Sequence, residues 1–369
     1  MRKSLQTLRN AALAAAILLP ASAAPGETTM GFVYVGPKDD YGYNQAHAEG
    51  GAGVAKVPGV KIVEEANVAE TNAVQETMLN MINLDGATVL FPTSFGYFDP
   101  HVLKVAKESP EVQFFHCGGL YDASKHPKNV GSYFGWIYEG QYINGLVAGH
   151  MSKSGKLGFI AAKPIPQVLN NINAFTLGAK KVNPKITVQV VFTGDWSMPV
   201  KEAEAANSLI DQGVDVLTCH VDSPKVITQT AERRGIYTCG YHANGAALAP
   251  KGYLTGAEWD WTSVYSKYAA LVQEGKSLMA GSIPHLMRGG IKEGFIKMSP
   301  YGPAVSDAAK KDADAAKAAF LAGTLEVFTG ELKDNEGKVQ VAAGSVMKRD
   351  DPTIESMNWL VEGVLGSTK

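Results

Sequence analysis

The chain has 369 residues, with 34 basic and 36 acidic side chains mixed along its length and a formal charge of −2. A balance this close to neutral leaves no basic footprint for nucleic acid and no polybasic stripe for anionic lipid, so we do not expect a polyanionic partner. The length exceeds what one hydrophobic core usually supports, and 45% hydrophobic residues can bury full cores. Two domains are therefore expected.

The first 23 residues have the pattern of a secretory signal peptide. Arg2 and Lys3 precede an apolar run over residues 11–19, and Ala21-Ser22-Ala23 supplies a cleavage site. The alternative, an N-terminal core helix, is disfavoured because no polar residue in that run gives it an exposed face. We therefore predict export to the periplasm. With no cysteine near the cleavage site, a lipid anchor is not expected.

From Thr28 onward, short apolar strands alternate with amphipathic helical stretches. The predicted strands cover residues 31–35, 60–64, 87–92, 112–116, 157–161, 187–192, 214–219, 236–240 and 253–256. The predicted helices cover residues 73–84, 100–108, 139–151, 168–182, 200–212 and 223–234. Strict alternation of this kind is typical of parallel sheets with helices on both faces.

The strand series restarts near Gly155, which predicts two similar lobes, each a doubly wound parallel sheet. We expect an N-terminal lobe over residues 24–150 and a C-terminal lobe over 151–286, with helix 139–151 carrying the chain across. Residues 287–369 are poor in strands and are expected to return over the first lobe. Because ligands bind at the carboxyl ends of parallel strands, two facing lobes form a cleft that closes by hinge motion.

Aromatic and polar side chains recur just after the predicted strands of both lobes. Trp196, Trp259 and Trp261 stand at predicted exposed loop positions with no obvious core to fill. A single aromatic residue after a strand more often covers the core, but their repetition favours a planar aromatic ligand between the lobes. The candidate ligand contacts are Tyr43, Ser94, Phe95, Asn173, Trp196, His220, Asp222, Tyr241 and Trp261.

His220, Asp222 and Ser223 are close enough in sequence to suggest catalysis. Neighbours on an extended segment face opposite ways, however, and no second base or orienting acid stands nearby, so a catalytic relay is disfavoured. Asp222 is better explained as an acceptor for a ligand donor such as an exocyclic amine, with Ser223 capping the next helix. The alternative is that Asp222 is itself a helix cap or a solvated loop acid.

The three cysteines are too few for a disulfide framework and lack zinc-ligand spacing. Cys219 and Cys239 end strands that could be neighbours, so one alternative is a single bridge between them that leaves Cys117 as a buried thiol. The sequence has no H-E-x-x-H, Walker or G-x-S-x-G motif, so we predict neither a metal nor a cofactor.

A set of motifs in fixed order gives this chain a family resemblance. They are Val35-Gly36-Pro37 with Gly42-Tyr43 and His47, Thr93 through Pro100, Tyr138-Glu139-Gly140-Gln141-Tyr142, Pro164-Ile165-Pro166, Ile172-Asn173-Ala174-Phe175, Trp196, Leu209 through Asp215, His220 with Asp222-Ser223, and Asp260-Trp261. Over residues 28–363 the chain resembles the basic membrane protein (BMP) family of ABC-transporter solute-binding proteins, and most closely its purine-base, adenine-type branch.

This resemblance implies a type I periplasmic-binding-protein fold that delivers a nucleobase or nucleoside to a membrane permease. It implies Tyr43, Phe95 and Trp196 as enclosing aromatic residues, and Asn173, Asp222 and Trp261 as polar and lid contacts. The chain departs from the family pattern at three places. Tyr43 replaces a Trp, Gln167 replaces a Glu, and residues 241–244 replace an acidic loop that meets nucleoside in the wider family.

The leading hypothesis is a monomeric, non-enzymatic periplasmic receptor for a purine base that serves an ABC permease. A sensory protein that docks on a membrane receptor and a secreted nucleoside-processing enzyme are the alternatives. The enzyme is disfavoured because no activated nucleophile or acid–base pair stands at the strand ends. If Asp222 accepts an exocyclic amine, adenine should bind better than hypoxanthine, and the loss of the family's acidic loop predicts no gain for adenosine.

Overall fold

A computed structural model describes residues 27–368, so the predicted signal peptide lies outside the described residues. The strands are β1 (Thr28–Val33), β2 (Val60–Glu65), β3 (Val89–Pro92), β4 (Gln113–Cys117), β5 (Val130–Gly135), β6 (Lys156–Ala161), β7 (Thr187–Phe192), β8 (Val216–His220), β9 (Tyr237–His242), β10 (Tyr253–Trp259), β11 (Leu286–Gly289), β12 (Ile296–Met298), β13 (Phe328–Thr329), β14 (Leu332–Lys333), β15 (Val339–Val341), β16 (Val346–Met347) and β17 (Val364–Leu365). The helices are α1 (Tyr43–Val54), α2 (Asn72–Asn83), α3 (Leu103–Glu108), α4 (Tyr138–Met151), α5 (Pro166–Val182), α6 (Pro199–Asp211), α7 (Lys225–Arg233), α8 (Trp261–Gln273) and α9 (Asp307–Ala322).

The two main sheets repeat one strand order. The first sheet runs β2-β1-β3-β4-β5-β11 and is parallel throughout. The second runs β17-β7-β6-β8-β9-β10-β12, and only its edge strand β12 is antiparallel. The order 2-1-3-4-5 of the first lobe matches 7-6-8-9-10 of the second. The predicted α/β fold of two doubly wound lobes is therefore confirmed.

The chain passes between the lobes three times. It crosses after β5 into α4, after β10 into α8, and between β11 and β12. Helix α4 packs on α5, α9 and β10 of the second lobe, and α8 packs on α1 and β1 of the first. The expected boundary at residue 150 thus differs from the structure, because the alternating pattern predicts a helix without showing which sheet it covers.

The C-terminal segment does not simply return over the first lobe, as was expected. Strand β11 joins the first sheet, but β12 and β17 pair with strands of the second. Helix α9 packs on α4. Because β12 and β17 lie on the outer strands β10 and β7, the segment covers edges that would otherwise leave backbone groups unpaired.

Local sequence explains where several helices begin. The side chains of Thr71, Asp260 and Ser306 accept hydrogen bonds from backbone N–H groups in the first turns of α2, α8 and α9. Helix α9 ends at Gly323, whose φ of 70° is in the left-handed region that favours glycine. All six residues of β1 are buried, as a strand covered on both faces requires.

Two buried apolar clusters stabilise the molecule. The smaller one packs α2 and α3 on one face of the first sheet and includes Met78, Leu90 and Phe114. The larger one runs from the other face of that sheet, through Tyr265 of α8, into the second lobe. The crossings therefore lie within continuous packing, which places the carboxyl ends of the two sheets against each other.

The three cysteines are buried free thiols, so the bridge considered between Cys219 and Cys239 does not form. Leu217 pairs with Thr238 across β8 and β9. Cys219 follows Leu217 by two residues and Cys239 follows Thr238 by one, so the two side chains point to opposite faces of the sheet. Adjacent strands are thus not sufficient for a bridge.

We expect three thiols to react with a thiol reagent when the exported protein is denatured without reductant. The physical reason is that the β8–β9 register places Cys219 and Cys239 on opposite faces of the sheet, so the thickness of the sheet separates their sulfur atoms. A count of one thiol would contradict this register. A reduced and denatured sample provides the reference value.

Candidate functional site

The loops that follow β1 and β8 bring the lobes into direct contact. The backbone N–H of Tyr43 donates to the carbonyl of Asp222 at 2.8 Å, and Ser223 Oγ donates to the carbonyl of Asp40 at 2.6 Å. A Cβ on Gly42 would stand 1.9 Å from the Asp222 carbonyl oxygen, so only glycine permits this approach. The lobes are therefore closed on each other at the strand ends.

Six rings from both lobes and the crossings meet behind this contact. We call them the interlobe ring cluster: Tyr43, His47, His242, Trp259, Trp261 and Tyr265. His47 and Trp261 stack with centroids 5.0 Å apart and an interplanar angle of 3°, and Trp261 stacks on Trp259 at 4.6 Å and 15°. The cluster is thus a set of parallel layers, the geometry in which flat rings pack face to face.

Tyr43 stands across these layers. Its ring is nearly perpendicular to His47 at 4.6 Å and to His242 at 5.5 Å. Its hydroxyl donates to the carbonyl of Thr93 at 2.6 Å, which ties α1 to the end of β3. Since His242 belongs to the second lobe, the Tyr43 ring is one of the contacts that join the first lobe to the second.

A second group of polar side chains lies deeper in the second lobe. Asn171 Nδ2 is 2.8 Å from His220 Nδ1 and donates to the Tyr241 hydroxyl at 3.0 Å. The Trp196 ring, which is half-buried, lies 6.0 Å from the His220 ring. Burial lowers the pKa of His220 to about 3, so this imidazole is neutral at neutral pH.

Several buried nitrogen and oxygen atoms of this region lack a hydrogen-bond partner within residues 27–368. They are His47 Nε2, His242 Nε2, Trp261 Nε1 and Asn171 Oδ1. Buried polar atoms are nearly always paired in folded proteins, because leaving one unpaired costs about 1 to 3 kcal/mol. A concentration of such atoms where two lobes meet indicates a site that recognises a polar, flat ligand.

Asp222 lies among acidic side chains at the lobe interface. Burial, and after it the negative charges of Asp40, Glu70, Glu202 and Asp195, together raise its pKa to about 8. A substantial fraction of Asp222 is therefore a neutral acid at neutral pH, able to donate as well as accept. The sequence expectation of a carboxylate acceptor holds only for its ionised form.

Two cavities open between the lobes beside the ring cluster. One, of about 220 Å³, is lined by Phe95, Gln167, Asn170 and Arg288 together with residues of the first crossing. The other, of about 470 Å³, is lined by Asp40, Glu202, Asp222 and Lys225. Phe95 is 62% exposed at the rim of the first cavity, which leaves its ring face available.

The comparisons with known proteins agree with this architecture. A family model described as ABC transporter substrate-binding protein PnrA-like (Bmp) matches residues 27–327. The chain belongs to the Bmp family. A purine-binding protein of Brucella abortus is 38% identical to it over 96% of this chain and 97% of that protein. A putative ABC transporter glucose-binding protein of Haloferax volcanii is 32% identical over 92% of this chain and 81% of that protein.

Solved structures show the same fold. An ABC transporter solute-binding protein from Conexibacter woesei matches with a TM-score of 0.66 at 23% identity, over 81% of this chain and 98% of that chain. The predicted family and periplasmic-binding-protein fold are thus confirmed, and this Bmp protein is the solute-binding component of an ABC transporter. Bmp proteins bind small ligands outside the cytoplasm and work with ABC permeases.

The described part of the chain shows neither a membrane-spanning helix nor a group of side chains suited to a metal ion. Within residues 27–368, no helix combines the length and apolar character needed to cross a bilayer. Over the same residues, no three His, Cys, Asp or Glu side chains are grouped so that they could hold a metal ion.

The tryptophan expectations need correction. Trp259 and Trp261 were expected on exposed loops, but they are only 3% and 1% exposed. Trp259 ends β10 and Trp261 begins α8, so both fill the crossing between the lobes. They contribute to the site as buried walls of the ring cluster, whereas Trp196 remains half-buried at its edge.

Ser94 and Asn173 do not present free polar groups to the cleft. Ser94 Oγ donates to Glu70 within the first lobe. Asn173 is fully buried, donates from Nδ2 to the Trp359 carbonyl at 2.9 Å, and accepts from the Val361 N–H at 2.8 Å. Its amide therefore fastens the C-terminal segment to α5 instead of contacting a ligand.

The list of candidate ligand contacts from the sequence left out His47, Asn171, His242 and Trp259, although Trp259 was among the aromatic residues that favoured a planar ligand. His47 follows Tyr43 by four residues on α1, a spacing that places two side chains on one helix face and could have identified it. His242 and Trp259 end neighbouring strands, so their position after β9 and β10 was the available signal. Asn171 gave no local signal, because its partners His220 and Tyr241 come from other elements.

Asn173→Ala should lower the free energy of unfolding by about 1 to 3 kcal/mol without changing ligand affinity. The substitution leaves the buried Trp359 carbonyl and Val361 N–H unpaired. Chemical denaturation and calorimetric titration measure the two quantities. Asn83→Ala, at an exposed position of α2, is the matched control. A loss of ligand affinity with an unchanged free energy of unfolding would contradict this and show that Asn173 contacts the ligand.

The raised pKa of Asp222 predicts a pH dependence of stability. The folded chain holds a proton on Asp222 up to about pH 8, whereas the unfolded chain releases it near the ordinary value of 3.8. The free energy of unfolding should therefore fall as pH rises between these values. In Asp222→Asn, the free energy of unfolding should fall less over the same pH range. Denaturant titrations at several pH values test this. Asp39→Asn, an exposed acid of the facing loop, is the control, and identical slopes for wild type and Asp222→Asn would refute the assignment.

Proposed function

We propose that this Bmp protein binds a purine base at the interlobe ring cluster and delivers it unaltered to an ABC permease. The observation that carries the proposal is the layered ring stack with unpartnered nitrogen atoms between the lobes, described for residues 27–368. The purine-binding relative from Brucella abortus supports this ligand class.

A purine matches the chemistry of the cluster. Stacking on an aromatic ring stabilises a bound base by roughly 1 to 3 kcal/mol, because every base has a flat π-face. Trp261 Nε1 is a donor only, and purine ring nitrogens are acceptors. Burial holds the pKa values of His47 and His242 well below the ordinary value, so these rings are neutral and suit an uncharged heterocycle.

The acidic side of the interface bears on which purine is preferred. Ionised Asp222 can accept from the exocyclic amine of adenine but would face the carbonyl of hypoxanthine with no donor between them. Neutral Asp222 can donate to that carbonyl. Because the pKa of Asp222 is about 8, discrimination between these bases should increase as pH rises toward that value.

The remaining features of the proposal rest on the sequence. We propose that the mature protein is a periplasmic monomer with residues 1–23 as its export signal. The sensory alternative uses the same cleft and differs in its membrane partner. An adjacent permease and ATPase gene pair supports transport, whereas a lone gene beside a receptor supports sensing.

Competition calorimetry with adenine, hypoxanthine, guanine, adenosine and D-glucose tests the ligand class. We expect adenine to bind at least about tenfold more tightly than hypoxanthine near pH 8, with a smaller ratio near pH 6, and adenosine to gain nothing over adenine. Asp222→Asn should reduce the ratio near pH 8.

Other outcomes would overturn parts of this proposal. Binding of adenosine without adenine would replace the base by a nucleoside, and binding of glucose without purines would replace it by a sugar, in line with the name of the Haloferax volcanii relative. Mass spectrometry of the ligand after incubation supplies the second readout. A chemically altered ligand would show that the protein is an enzyme.

A further inference from the structure

The backbone at His242 is unusual. His242 ends β9 with a φ of 70°, in the left-handed region that residues other than glycine seldom occupy. The side chain is 3% exposed, so packing around the ring holds this conformation. Conformations of this kind are energetically unfavourable and are concentrated at functional sites, where they orient a side chain.

One hydrogen bond determines which nitrogen of His242 carries the proton. Trp259 Nε1 donates to His242 Nδ1 at 2.8 Å. An indole N–H can only donate, so Nδ1 must be the acceptor and the proton of the neutral imidazole is on Nε2. Trp259 is 3% exposed and stacked on Trp261, so this donor is itself fixed in place. The His242 Nε2–H is thus a donor of defined direction.

That donor lies where the two lobes meet. His242 Nε2 is buried without a hydrogen-bond partner in the described part of the chain. The Val221 carbonyl is close enough to oppose the lowering of the His242 pKa, but it does not reach hydrogen-bond geometry with Nε2. Tyr43 of the other lobe stands edge-on to the ring at 5.5 Å, and His220 lies at 6.0 Å.

We propose that His242 is a specificity-determining residue whose Nε2–H donates to a ring nitrogen of the bound heterocycle, and that Trp259 is the positioning residue that fixes this tautomer. The inference rests on the proposed binding of a purine base. It adds the protein atom, His242 Nε2, that donates a hydrogen bond to the edge of that base. It requires a ligand with a ring-nitrogen acceptor, which a sugar ring or a carbocyclic ring does not supply.

The geometry also explains why neither residue can be replaced by a generic aromatic. A Phe at position 259 keeps a stacked ring but loses the N–H that holds His242 Nδ1 as an acceptor. A Phe at position 242 keeps a flat apolar ring but loses the donor. Substitutions at these two positions therefore separate ring packing from hydrogen bonding.

Calorimetric titration with adenine and with 1-deaza-, 3-deaza- and 7-deazaadenine tests the proposal. Each analogue replaces one ring nitrogen by C–H. We expect wild type to bind one of the three about tenfold or more weakly than adenine, which is the loss of one buried hydrogen bond. His242→Phe should bind adenine about tenfold more weakly and no longer distinguish that analogue. His150→Phe is the control and should retain the wild-type pattern, because His150 is a half-buried residue of α4 that pairs with Asp312 of α9 and has no contact with the ring cluster.

Trp259→Phe should reduce the discrimination between adenine and its deaza analogues, because the His242 proton can occupy Nδ1 once the Trp259 N–H is gone. ¹⁵N chemical shifts of the His242 imidazole report this directly, and we expect the Nε2–H form in wild type and a mixture of tautomers in Trp259→Phe. This readout and the deaza series on wild type remain decisive even if His242→Phe does not fold.

The results distinguish a failure of the role proposed for His242 from a failure of purine binding itself. Equal affinity of wild type for adenine and all three analogues, or an Nδ1–H tautomer at His242, would overturn the role of His242 while leaving purine binding intact. Failure of wild type to bind any purine would overturn the proposed function and this inference together.

Discussion

The closure of the two lobes depends on a backbone contact that admits no side chain. The Tyr43 N–H donates to the Asp222 carbonyl at 2.8 Å, and the preceding residue, Gly42, lies so close to that oxygen that a Cβ would overlap it. Because this contact joins a first-lobe loop to a second-lobe loop, it determines which rings meet behind it. A residue larger than glycine would hold the lobes apart and separate Tyr43 from His242, which are 5.5 Å apart when the lobes are closed.

Closure also determines the charge of the site. Burial raises the pKa of Asp222 and lowers the pKa of His47 and His242, so each of these groups is driven toward its neutral form. The two shifts act on stability in opposite directions. The Asp222 shift lowers the free energy of unfolding as pH rises above 3.8, whereas the histidine shifts lower it as pH falls below 6.5. The closed form thus has a nearly uncharged interior.

The alternation of strands and helices predicted two parallel sheets in two similar lobes, because parallel strands covered on both faces have a clear apolar pattern. The strand order within each sheet came only from the structure. Strand β5 escaped prediction, since Gly131 and Gly135 interrupt its apolar run. The partners of Asn173 and the tautomer of His242 were inaccessible for a different reason. Both arise from contacts between segments far apart in sequence, and nothing local to either residue records them.

The same neutrality bears on whether the site turns a ligand over or only holds it. A general acid or base works best with a pKa near the ambient pH, a condition that Asp222 approaches at about 8, whereas His220 has a pKa of about 3 and is almost entirely neutral at neutral pH. His242 is held neutral in the same way, and its one proton is committed to Nε2 by Trp259. Groups with fixed tautomers recognise the edge of a heterocycle without exchanging protons with it. The two histidines are therefore suited to recognising a ligand, in keeping with the solute-binding family to which the chain belongs.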